Sequence, residues 1–121
     1  MGARTNFTIV TTEDSNQNIN LYSHWGGDTG VMDLARALQT AMPRMGDTSY
    51  FVRILLNALQ EDHNTETGYG IYVGEVNHEE QYEYKEVNLI NNTVTVGDFT
   101  TTIDKFIAYH LDTVSAAIET V

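Results

Sequence analysis

The chain has 121 residues, 41% of them hydrophobic and 19% charged, a balance that excludes wholesale disorder and suits one ordinary folded domain. It has no cysteine, so a disulfide framework, a thiolate metal site and a cysteine nucleophile are all excluded. Its 17 acidic and 6 basic residues give a formal net charge of −11, which argues against direct binding of nucleic acid, because that binding relies on lysines and arginines at the phosphates.

In chain order, Met1 to Asn6 lack the apolar centre of a signal peptide, and no later run is long enough to span a bilayer. The expectation is a soluble protein of the cytoplasm with no membrane partner. Phe7–Val10 and Ile19–Tyr22 alternate in polarity around the polar stretch Asp14–Asn18, which predicts an opening hairpin. Val31, Leu34, Ala35, Leu38, Ala41 and Met42 recur at helical spacing until Pro43 ends the run. Asp47, Thr48 and Ser49 then offer caps for a second helix whose stripe is Phe51, Ile54, Leu55, Ala58 and Leu59. From Gly68 to Val76 the residues alternate, with Tyr69, Ile71 and Val73 on one face and glycines on the other, a thin face that predicts close approach of something else.

Tyr82–Ile90 and Thr93–Val96 flank Asn91-Asn92, a pair that tolerates left-handed backbone and predicts a tight hairpin. Thr100, Thr101 and Thr102 provide caps for a closing helix on the stripe Ile103, Phe106, Ile107, His110, Leu111, Val114, Ala117 and Ile118. The predicted order is ββααβββα. It implies a single α+β domain over residues 1–121, an antiparallel sheet with helices packed mainly on one face.

The stretch Leu21 to Gly30 joins the second strand to the first helix and holds the only tryptophan, a histidine and three of the nine glycines. Gly26 and Gly27 allow close approach to helix amides that point outward, an arrangement suited to an anion. Asp28 and Thr29 offer the competing solution of capping those amides internally, and the segment lacks the lysine of a phosphate-binding loop. Trp25 reads as a buried anchor, and His24 then faces outward or into a groove beside Arg53. Arg53 sits between Val52 and Ile54 on a broad apolar stripe, so it calls for a carboxylate such as Asp28 or Asp33, or for an anionic ligand. The candidate ligand-binding set is Tyr22, His24, Trp25, Gly26, Gly27 and Arg53, lining a shallow pocket for a small anionic or nucleotide-like molecule.

No catalytic residues, metal ligands or cofactor are assigned. His24, His63, His78 and His110 are far apart in sequence with no zinc-type spacing, and Ser23 and His24 are strand neighbours that point apart. His110 lies on the apolar stripe of the last helix and reads as a core or interface histidine. The run Glu79 to Glu86 reads as a solvated hairpin edge; its alternative is part of an acidic nucleic-acid mimic that blocks a basic host protein. An enzyme with a site outside the known motifs is the third class.

Arg4, Phe7–Val10, Tyr22-Ser23-His24-Trp25-Gly26-Gly27, Tyr50–Ile54, Thr67–Ile71 and Thr93–Asp98 with Phe106-Ile107 together resemble a family of small bacteriophage and prophage proteins. The resemblance spans nearly the whole chain, and its most specific element is Tyr-Ser-His-Trp-Gly-Gly. It implies a phage origin and the cytoplasm of a host cell, with no settled activity. The functional expectation is a non-catalytic binder of a host protein or of a small anionic molecule. Apolar residues on the last helix beyond Leu111 raise the further possibility of a homodimer.

Overall fold

The computed structural model describes residues 5–23, 30–60, 69–75 and 85–111. Strand β1 (Thr5–Val10) and strand β2 (Ile19–Ser23) form the opening hairpin, with Phe7 opposite Leu21 and Ile9 opposite Ile19. Between them Ser15–Gln17 makes one 3-10 turn, started by the Asp14 carboxylate, which accepts a bond from the Asn16 amide at 3.0 Å. Helix α1 (Gly30–Ala41) buries Leu34, Ala35, Ala37, Leu38 and Ala41 and passes into a 3-10 turn at Met42–Arg44, where Pro43 removes a backbone donor. Helix α2 (Thr48–Gln60) buries Phe51, Val52, Leu55 and Leu59.

The second half contributes β3 (Tyr69–Val73), β4 (Lys85–Asn88), β5 (Thr93–Val96), β6 (Phe99–Thr102) and helix α3 (Ile103–His110). The α+β architecture holds, and its sheet has six strands in the order β3-β2-β1-β4-β5-β6. Two features refine the sequence reading. The sheet is mixed, because β4 pairs in parallel with β1 while every other neighbouring pair is antiparallel. The order also carries one more strand than expected: Thr100 and Thr101 lie in β6, and only Thr102 caps α3, accepting from the Lys105 amide at 3.3 Å. The signal for β6 is the two-residue turn Gly97-Asp98, with Gly97 at φ +59°.

Register divides the sheet into two unlike faces. Phe7, Ile9, Leu21, Val87 and Val94 share one face and form a single core with the buried residues of all three helices. The opposite face carries Asn6, Thr8, Asn20, Tyr22, Tyr72, Glu86 and Asn88. Its centre is buried and hydrogen-bonded: the Thr8 hydroxyl donates to Asn20 Oδ1 (2.7 Å), Asn20 Nδ2 donates to the Gly74 carbonyl (2.8 Å), and the Tyr72 hydroxyl donates to Asn6 Oδ1 (2.8 Å). These bonds offset the cost of burying polar groups on the central strands.

The predicted asparagine turn is present. Asn92 has φ +58°, and Asn88 Oδ1 accepts from the amides of Ile90 and Asn91 at 2.9 and 3.0 Å. No described helix is long and apolar enough to cross a membrane.

Candidate functional site

Of the predicted ligand-binding set, Tyr22 and Arg53 fall among the described residues, and they lie on opposite sides of the sheet. Tyr22 is half-buried on the polar face of β2, whereas Arg53 is exposed on α2, in the helix layer on the other side of the sheet. The separation follows from strand alternation, since Leu21 takes the helix side and its neighbour Tyr22 must take the other. Arg53 has no carboxylate partner among the described residues; Asp33 pairs instead with Arg36 at 3.4 Å. Exposure removes the need for one, because water solvates the guanidinium. His24, Trp25, Gly26 and Gly27 lie outside the described residues, as do Asp28, Thr29, His63, His78, the chain beyond Leu111 and Glu79 to Tyr84.

The acidic run is corrected at its C-terminal end. It was expected at a solvated sheet edge, but β4 is an interior strand between β1 and β5, and Lys85 is 1% exposed. Its Nζ donates to Thr5 Oγ1 at 2.9 Å and lies 6.0 Å from the centre of the Phe7 ring. The lysine stem fills the space beside Gly30, where an added Cβ would stand 2.8 Å from Lys85 Cε. The structure thus brings a buried cation from β4 to the first turn of α1, although the junction's own sequence contains none. Lys85 shares the Val87 face of its strand, and that period was the available signal.

The thin glycine face of β3 also differs from expectation. Among the described residues nothing stands within 4 Å of the Cβ position at Gly70. On the other face Tyr69 packs partly against the core, but Ile71 and Val73 are 55% and 66% exposed. Among the described residues β3 is the terminal strand of the sheet.

A concave site lies toward the opposite edge. Val96, Phe99 and Thr101 from the β5–β6 hairpin, Lys105, Phe106, Tyr109 and His110 from α3, and Val31 from the first turn of α1 line a cavity of 580 Å³. That volume falls in the range of roughly 300–1,000 Å³ typical of small-molecule sites. The cavity adjoins the Lys85 corner: Val96 is the register partner of Lys85, and Val31 follows Gly30.

Each lining group has a local cause. Register puts Val96, Phe99 and Thr101 on the helix side of their strands, and the helical period aligns Phe106 with His110, whose ring centres are 4.6 Å apart. The Tyr109 ring meets His110 edge-on at 4.9 Å. Burial among these rings pushes the His110 imidazole below its ordinary value of 6.5, so it is mainly neutral near pH 7. His110, read from sequence as a core or interface residue, is half-buried at this cavity. Lys105 supplies a cation, and no carboxylate occurs among the described lining residues. Such a wall favours an apolar body carrying an acceptor or negative group. Three groups of metal-ligand type do not come together anywhere among the described residues.

Compared with protein-family models, with curated proteins and with solved structures, the chain gives no match.

Proposed function

We propose that the protein is a non-catalytic binder of a small, mainly apolar molecule bearing an anionic group, taken up in the cavity between α3, the β5–β6 hairpin and the start of α1. The observation that carries this reading is the cavity's composition: aromatic and aliphatic walls of ligand size with Lys105 at the lining. Apolar burial supplies the affinity, and the ammonium selects a negative head group despite the chain's overall charge of −11. The anionic class of ligand expected from the sequence is kept, but its place moves from the Tyr22–Arg53 pair to α3. The phage resemblance fits a binder working in the host cytoplasm on a host metabolite or signal.

Titration with the aromatic sulfonate 8-anilinonaphthalene-1-sulfonate, followed by fluorescence, tests the reading. Saturable binding to the native protein is expected. Thr101→Trp, which fills the cavity, should abolish it, and Lys105→Glu should weaken it about tenfold, equivalent to roughly 1.4 kcal/mol. Binding that neither substitution changes would overturn the proposal.

A further inference from the structure

Strands β1 and β4 run parallel side by side, and their last residues, Val10 and Asn88, are register partners. The chain leaves them in opposite directions, because β1 continues into β2 on one side and β4 into β5 on the other. A crevice opens where neighbouring parallel strands send their exit loops apart, and open sheets take ligands at such a point. Here it is a hollow of 330 Å³ lined by Val10, Glu86 and Asn88, on the sheet face opposite the helices. One water, whose share of liquid volume is about 30 Å³, does not fill it.

The lining sets the chemistry of an occupant. Glu13 and Glu86 supply two carboxylates, and no cationic side chain occurs among the described lining residues. Asn18 also lines the hollow; it is 8% exposed, and its Oδ1 is the one buried side-chain polar atom of the described residues with no hydrogen-bond partner. Its extended backbone leads into β2, where Ile19 packs toward the core, so strand alternation turns the Asn18 side chain onto the crevice face. A buried acceptor without a donor is costly, and an occupant that brings an N–H removes the cost. Val10 and Ile90 add apolar surface beside it.

We propose that this crevice binds a short aliphatic ammonium ion. The ammonium donates to Asn18 Oδ1, the carboxylates of Glu13 and Glu86 balance its charge, and its methylene groups lie on Val10 and Ile90. A metal ion fits the lining less well. No three His, Cys, Asp or Glu side chains converge on one point among the described residues, whereas calcium takes about six to eight oxygens.

The crevice lies on the other face of the sheet from the α3 cavity and succeeds or fails independently of it. Titration of the isotope-labelled full chain with 1,4-diaminobutane at constant ionic strength, followed by amide NMR, tests the proposal. Saturable shifts are expected within Val10–Asn18 and Glu86–Asn91 and at the Asn18 side-chain amide, with none from the uncharged 1,4-butanediol. Asn18→Leu should weaken diamine binding about tenfold. That variant keeps the backbone bonds of Asn18 to Ser15 and Gly74, so its thermal melt should be unchanged or raised. Glu13→Gln, an exposed change that leaves the fold alone, should weaken binding about threefold. Four results would each overturn the proposal: unsaturable shifts spread over the acidic surface, equal binding of the diol, tighter saturation of the same residues by calcium chloride, or diamine affinity unchanged in Asn18→Leu.

Discussion

The two ends of the sheet expose apolar side chains in different ways. At the β6 end, Phe99 and Tyr109 are 64% and 76% exposed, but α3 rises over the hairpin and their rings border a hollow of 580 Å³. At the β3 end, Ile71 and Val73 are comparably exposed along a strand edge. Similar hydrophobicity therefore has different uses, because shape determines what can exclude water from it. A concave wall surrounds a small molecule, whereas apolar side chains along a strand offer it no enclosed volume.

The largest effect expected is one that abolishes the contrast. Leu38 is fully buried in α1 within the core, and Leu38→Ala should cost about 3 kcal/mol in urea denaturation. Sulfonate binding should then weaken as the unfolded fraction grows. A cost well below that figure would show that the core repacks around the deleted side chain.

Next comes the corner that joins the cavity to the start of α1. Gly30→Ala forces Lys85 to shift, and Lys85 is too enclosed to move without disturbing its bond to Thr5, so destabilisation of about 1–2 kcal/mol is expected. In a Lys85→Ala background the same change should become neutral or favourable. That non-additivity is measurable in a double-mutant cycle by chemical denaturation, and additive effects would refute the contact as its origin.

A smaller and more local change is Thr102→Ala, which removes the cap of α3. Its 3.3 Å bond is long, so the expected loss is about 0.5–1 kcal/mol, with hydrogen exchange accelerated in α3 and unchanged in β3.

The smallest effect expected is that of pH. His110 has a lowered pKa in the folded protein because burial disfavours the imidazolium. The unfolded chain therefore takes up the proton first as pH falls. The stability contribution is complete above the ordinary value of 6.5 and is lost as pH drops from there through the folded pKa. Thermal melts between pH 7.5 and pH 5, roughly spanning the histidine range, should show a slope that His110→Gln reduces. Ile71→Lys should leave the slope unchanged, keeping the two ends distinct.

Much of this was legible in local periods. Leu34, Leu38, Leu55 and Leu59 betray their helices, Ile9 and Leu21 their strands, and Asn91-Asn92 its turn, because each signal depends on neighbours within a few residues. The candidate site was legible only in part. His110 was found on its stripe, but the pairing of Tyr22 with Arg53 failed because helical and strand periods say which face a residue takes, not which faces meet.

The sequence by itself determined that the chain is acidic and free of cysteine, and that it alternates strands and helices with one apolar face each. Tertiary structure decided the order of the strands. By placing β4 parallel beside β1, it made Lys85 an interior residue and left β3 at the rim, with Ile71 and Val73 uncovered among the described residues. By adding β6 under α3, it also formed the cavity. The physical reason is that an apolar face is written locally in the chain, while whatever covers it arrives from a distant part of the sequence through packing.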